Sequence, residues 1–155
     1  MWFCECACMS EPLPENPLCL ENQLCFSLYS AANAMVRAYR PYLEQLQLTY
    51  PQYLAMMVLW QQNGISVKLL GEQLHLDSGT LTPLLKRLEA KGLVCRGRSQ
   101  QDERMRVLEL TADGLALRES AMSIPRQMFC RTGLAPAQLT ELKQLCDQLW
   151  SQLVE

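Results

Sequence analysis

Apolar positions fall at helical spacing over most of this chain and change to strand spacing in one stretch. Leu20, Leu24, Leu28, Ala31, Met35, Tyr39, Tyr42 and Leu46 recur every three or four residues, which predicts one long helix from Cys19 to Leu46, bent at Pro41. At 28 residues it is long for a monomeric domain of this size, so it is expected to pack on a partner subunit. Tyr50-Pro51 opens a second helix through Trp60, with Tyr53, Met56, Met57 and Leu59 as core candidates and Asn63-Gly64 as its stop. A short helix, Val67 to Leu74, and a turn at His75-Leu76 lead to a further stripe, Leu81, Leu84, Leu85 and Leu88. Asp77 or Ser78 can cap that helix and Gly92 ends it. Pro83 is awkward within it unless it lies in the first turn or the helix bends there. Strand-type residues then form a hairpin, Leu93 to Arg96 and Met105 to Leu110 about a polar turn from Arg98 to Glu103. Thr111 can cap a helix to about Arg131, which Pro125 is placed to bend or divide, and Pro136 opens the last helix. Leu139, Leu142, Cys146, Leu149 and Leu153 give that helix an apolar seam suited to a dimer interface, with Cys146 expected to be buried on it.

The fold class that follows is mainly α with a small β-hairpin. A helix followed at once by a basic hairpin is the arrangement of a winged helix, in which the helix enters the major groove and the wing reaches the backbone or minor groove. Opposite the leucine stripe lie Ser78, Thr80 and Thr82, hydroxyls near the helix start that suit base edges or phosphates, and then Lys86 and Arg87. Between Lys86 and Arg106 seven cations, including Lys91, Arg96, Arg98, Arg104 and Arg106, face three acids. That stretch is net +4 in a chain of net −2, which concentrates cations where double-stranded DNA would bind. A solvated helix face with a structural hairpin would carry the same charges, and composition alone leaves the two readings about even.

At 155 residues, 49% apolar and 19% charged, the composition is that of one ordinary folded unit. There is no membrane-spanning candidate, and no basic and apolar leader precedes the helices, so the expected compartment is the cytoplasm. Eight cysteines in a reducing compartment point to redox chemistry, metal or burial rather than a disulfide framework. Residues 1 to 17, with Pro12, Pro14 and Pro17 among acids, are expected to be a disordered extension. Cys4, Cys6 and Cys8 there lack a fourth Cys or a His to complete a tetrahedral site, so no metal is expected, and no other cofactor. Met9-Ser10-Glu11 has the form of a start, which would make the first eight residues an upstream extension. The single histidine, His75, reads as a solvated turn residue.

TLTPLLKRLEAKGLV followed by RSQQDERMRVLELT closely resembles the recognition helix and wing of the MarR family of dimeric transcription regulators. The resemblance implies a homodimer with a winged helix-turn-helix over 50–111 and dimerisation helices over 18–48 and 112–155. It implies that Asp102 and Arg104 brace the wing, with Arg104 or Arg106 at the DNA. LENQLCFSLYSAANAMVRAYRP is similar to the first helix of the organic hydroperoxide resistance regulators, a MarR branch that represses peroxide-defence genes and releases DNA when one cysteine is oxidised. That resemblance implies that Cys25 is the peroxidatic cysteine, that Tyr39 and Tyr50 hydrogen-bond its sulfur with Tyr29 nearby, and that Cys130 resolves its oxidised form in a two-cysteine scheme. Cys146 is the competing resolver, and Cys19 and Cys95 read as structural. Organic hydroperoxides would be the inducer, and a thiol reductant would restore the protein.

A thiol attacks peroxide as the thiolate, which needs donors, positive charge or a helix N-terminus to form readily. With a helix start at Cys19, Cys25 would lie in roughly the second turn, where the dipole helps weakly and tyrosine hydroxyls would supply the missing donors. Tyr29 is one turn away on the same face. Tyr39, fourteen positions on, lies about 21 Å up a straight helix, so a contact with Cys25 would have to come from the partner subunit. Phe26, Met56 and Met57 would favour lipid-like peroxides. Two other readings share these residues: a regulator that binds an apolar or phenolic ligand, with Cys25 merely buried, and a thiol peroxidase, for which Arg37 and Arg40 are the only cations on the first helix.

Overall fold

The leucine stripe sets the frame. In the computed structural model, which describes residues 16, 18–98 and 106–154 and not the side chains of Arg98 and Arg106, Leu81, Leu84, Leu85 and Leu88 are all buried on one side of α4 (Ser78–Ala90). Each such burial is worth about 1.5–3 kcal/mol. The chain divides into two units, 1–38 and 39–155.

In the first unit the helix expected from Cys19 begins later. Leu20–Asn22 form a 3-10 turn, Gln23 is extended, and α1 (Leu24–Gln45) starts after it and runs through Pro41 into the second unit. Local side chains explain the delay. The Leu18 N–H donates to Asn16 Oδ1 at 3.1 Å and Gln23 Nε2 donates to the Cys19 carbonyl at 3.3 Å, and such bonds compete with a helical backbone. Cys25 is therefore the second residue of α1, in its first turn rather than its second.

The second unit holds the reading head. α2 (Tyr50–Gln61) has Pro51 in its first turn and contributes Tyr53, Ala55, Met56 and Leu59 to the core. A two-residue strand, β1 (Ile65–Ser66), leads into α3 (Val67–Leu74), capped by Ser66, whose Oγ accepts from the Leu69 N–H at 3.2 Å. His75 turns the chain in the left-handed region (φ 55°) and is exposed, as expected of a turn residue, with its ring centroid 3.9 Å from that of Trp150. α4 follows, capped by Asp77, and contains Pro83 in its second turn. β2 (Val94–Arg98) and β3 (Arg106–Leu110) are the expected hairpin, Val94 opposite Leu110 and Arg98 opposite Arg106. β1 adds to the far edge of β3, giving the antiparallel order β1-β3-β2, with Ile65 opposite Leu108. Two residues are too few for an alternating pattern, so this third strand has no signature in the sequence.

Pro125 divides the helix expected from Thr111 to Arg131 into α5 (Ala112–Ala121) and α6 (Ile124–Thr132), where it occupies the first turn. α7 (Pro136–Leu153) has no buried residue: Leu142, Leu145 and Leu153 are exposed, and Cys146, expected to be buried, is exposed with them because the seam finds no cover among the described residues. Among the described residues no helix is long and apolar enough to cross a membrane.

The wing is fixed at its base by Thr111 and Gly114. Thr111 Oγ1 donates to the Gly92 carbonyl at 2.6 Å and accepts from the Gly114 N–H at 3.0 Å, while the Thr111 N–H donates to the Leu93 carbonyl at 3.1 Å. Trp60 Nε1 donates to the Gly114 carbonyl at 2.8 Å, and Asn63 Oδ1 accepts from the Leu110 N–H at 2.8 Å. A Cβ on Gly114 would stand 2.0 Å from the Leu93 carbonyl oxygen. Gly114→Ala should therefore lower unfolding stability by about 3 kcal/mol, the upper range for overpacking, in urea titrations. A change below a few tenths of a kcal/mol would show that this approach does not hold the wing.

Candidate DNA interface and thiol site

Asp77 caps α4 with both oxygens: Oδ1 accepts from the Thr80 N–H at 2.9 Å, and Oδ2 accepts from Thr80 Oγ1 at 2.9 Å. These bonds, the N–H first, hold its carboxyl below the usual range. Ser78, Thr80, Thr82, Lys86 and Arg87 are all exposed, on the side of α4 away from the buried leucines, as the spacing predicts. Among the described residues Lys86 and Arg87 make no ion pair. Arg96, another predicted DNA contact, is paired instead with Glu89 at 2.8 Å, because β2 runs back beside the end of α4. Arg98 and Arg106 stand opposite each other where the described hairpin ends. Asp102 and Arg104, like the Cys4, Cys6 and Cys8 cluster, lie outside the described residues.

Lys91 does not belong to the open cations. Just past α4, its Nζ donates to the carbonyl of Gln47, which is in the left-handed region (φ 54°), and to Gln52 Oε1 at 3.0 Å. Gln52 is 2% exposed, and its Oε1 also accepts from the Thr49 N–H at 3.0 Å, closing a capping box at the start of α2. The T-x-x-Q pattern at Thr49 was the available sequence signal for this joint.

The tyrosines gather at the same end of α2. Tyr39 and Tyr50 have ring centroids 5.0 Å apart, Tyr39 and Tyr53 6.0 Å, and Tyr53 and Trp60 6.2 Å. Tyr53, a core candidate by its spacing, completes the cluster with Tyr39 and Tyr50. Among the described residues the Tyr39 and Tyr50 hydroxyls make no hydrogen bond, so both protons remain to be given. Burial pushes the Tyr39, Tyr50 and Tyr53 phenols above their ordinary value, with neighbouring phenols adding to it at Tyr39 and Tyr53.

Cys25 and Tyr29 are exposed in the first unit. The first backbone bond of α1 runs from the Phe26 N–H to the Gln23 carbonyl at 3.1 Å, and the N–H of Cys25 sits ahead of it, at the end where the helix dipole favours negative charge. Cys130, in α6, is exposed; Cys95, on the wing strand, is exposed with its Sγ 3.7 Å from the Glu109 carbonyl; Cys19 is half-buried. All five described cysteines are free. Met56 is wholly buried, so it cannot line a peroxide path as expected; Met57 borders a cavity of about 170 Å³ with Tyr53, Trp60, Arg118, Met122 and Pro125.

A helix-turn-helix whose second helix turns hydroxyls and unpaired cations outward, followed by a hairpin wing whose sheet a strand ahead of α3 completes, defines a winged-helix DNA-binding protein. The family model for the transcriptional regulator SarA/Rot matches residues 37–122. The organic hydroperoxide resistance transcriptional regulator of Bacillus subtilis is 49% identical over 134 residues, 86% of this chain and 89% of that one. The solved structure of reduced AbfR bound to DNA superposes with a TM-score of 0.72 at 34% identity, covering 88% of this chain and 95% of that one. Disulfide-formed AbfR superposes at 0.61 and 37% identity, covering 84% and 91%. The chain belongs to the MarR-type winged-helix regulators, in the organic hydroperoxide resistance branch. It is a DNA-binding transcription regulator, and its relatives are regulators rather than enzymes.

The tyrosine cluster carries a pH signature. Below the ordinary phenol value of about 10 the folded and unfolded chains both hold these protons, and nothing is gained or lost. Above it the unfolded chain releases protons that the folded chain keeps, so stability falls as pH rises. Urea midpoints should drop between about pH 9 and about pH 11, and the drop should shrink in Tyr53→Phe. An equally steep drop in that variant would contradict the assignment.

Proposed function

We propose that this regulator is a cytoplasmic homodimer that holds operator DNA when reduced and releases it when an organic hydroperoxide oxidises Cys25. The observation that carries the reading is the placement of Cys25: exposed, in the first turn of α1, at the positive end of the helix dipole. The Cys25 thiolate attacks one peroxide oxygen, the O–O bond breaks, and the alcohol leaves after taking a proton, so that the sulfur becomes a sulfenic acid. The Cys130 thiol of the partner subunit then attacks that sulfur, expels water and closes a disulfide, which a thiol reductant reopens. The unbonded hydroxyls of Tyr39 and Tyr50, presented by the partner subunit, donate to the Cys25 sulfur. Disulfide-formed and reduced, DNA-bound AbfR are precedents in relatives.

DNA contact is assigned to Ser78, Thr80, Thr82, Lys86 and Arg87 on α4 and to Arg98 and Arg104 or Arg106 on the wing, with Asp102 and Arg104 bracing it, while Arg96 is held by Glu89. Residues 18–48 and 112–155 are assigned to the dimer interface, where exposed Leu24, Phe26, Met35, Leu142 and Leu145 would be covered. A second reading rests on the cavity beside Met57: a largely apolar lining that includes Arg118 suits an apolar or phenolic ligand.

The Cys25→Ser variant separates the readings. Wild-type operator affinity should fall about 10- to 100-fold after one equivalent of an organic hydroperoxide, with a disulfide-linked dimer on non-reducing electrophoresis. Cys25→Ser should bind DNA as tightly as wild type and ignore the peroxide. Cys130→Ser should lose the linked dimer. Release by Cys25→Ser equal to that of wild type would overturn the proposal in favour of the ligand-binding regulator.

A further inference from the structure

The cap of α4 fixes more than the helix start. Thr80 Oγ1 lies 2.9 Å from Asp77 Oδ2, and the Thr80 N–H lies 2.9 Å from Oδ1. A hydroxyl has one proton to give, and an ionised carboxylate has none. Asp77 stays ionised at neutral pH, its carboxyl held low by these bonds. The proton between them is therefore Thr80's, and Thr80 turns only lone pairs outward. Ser78 and Thr82, which flank it on the same exposed stretch, have no side-chain partner among the described residues and keep a proton to donate. Gly79 leaves room for this arrangement: a Cβ there would stand 2.9 Å from Asp77 Oδ1 and press on the capping carboxylate.

Phosphate oxygens, guanine N7 and O6 and thymine O4 are all acceptors, and an acceptor-only hydroxyl cannot bond any of them. The donors on the major-groove floor are the exocyclic amino groups, N6 of adenine and N4 of cytosine. We propose that Thr80 is a specificity residue of the reading helix, accepting a hydrogen bond from the amino group of an adenine or cytosine, and that Asp77 is the positioning residue that fixes this polarity. The inference rests on the reading that the exposed face of α4 meets the DNA, and is independent of how the protein senses peroxide.

The test uses the reduced full-length protein and a pool of randomised DNA duplexes, followed by single duplexes built on the selected sequence. Wild type should select adenine or cytosine at one position per half-site and lose about tenfold in affinity when that base is replaced by its analogue lacking the amino group. Thr80→Val should lose selection at that position alone and bind the two duplexes equally. Thr80→Ser, which keeps the hydroxyl, should restore selection. Asp77→Asn supplies an amide that can donate to Thr80 and free its proton to point outward, so preference at the same position should move toward thymine or guanine. Two outcomes would overturn the proposal: Thr80→Val weakening every duplex alike with a shallower salt dependence, the mark of a phosphate contact, or unchanged selection at every position. Lys86→Ala and Arg87→Ala identify a failure of the underlying reading instead. If both bind all duplexes as tightly as wild type, this face of α4 does not meet DNA, and the proposal falls with it.

Discussion

The buried amide of Gln52 joins two helices of the second unit. One oxygen accepts from the Thr49 N–H and from Lys91 Nζ, so the start of α2 and the end of α4 are held at a single atom, with the Gln47 carbonyl sharing the ammonium. Removing the amide would leave the Thr49 N–H and one ammonium bond without a buried acceptor, a loss of about 1–3 kcal/mol in such surroundings. The leucine stripe supplies most of the energy that seats α4, but burial is non-directional. Hydrogen bonds at this joint give the direction, and Tyr50 is two residues from Gln52 on the same helix.

That arrangement links the tyrosine cluster and the reading helix through the first turn of α2. A change at Tyr39 or Tyr50 bears on the first turn of α2, and the first turn of α2 bears on Lys91. At the other end, Thr111, Gly114 and Trp60 tie the wing to the same α2. A sensor acting on the tyrosines would thus move helix and wing together rather than melt either. In the proposed dimer such a displacement would suffice as a switch, since DNA binding would then depend on the spacing of two heads.

Much of this was legible in the sequence wherever the signal is local. Asp77, Gly92, Pro51, Thr111 and Pro136 mark helix ends through caps and fixed backbone angles, and α2, α3 and α4 fall within a residue or two of where periodicity puts them. The start of α1 was not legible, because Asn16 and Gln23 hold a 3-10 turn that apolar spacing runs straight through. Charge was the weaker guide. Lys91 and Arg96 add to the basic count between Lys86 and Arg106, yet the fold turns one toward Gln52 and the other toward Glu89, partners distant in sequence or brought together by the hairpin. For Cys25, residue pattern gave its identity as a candidate, while its place in the first turn of α1 required the structure.

The most direct measurement is a titration of the reduced operator complex with an organic hydroperoxide, following the bound fraction and, by mass spectrometry of the same samples, the oxidation state of each cysteine. Loss of DNA should track oxidation of Cys25 point for point and be complete by one equivalent per chain. Release while Cys25 remains a thiol, or full binding after Cys25 has been oxidised, would contradict a sensor built on that residue.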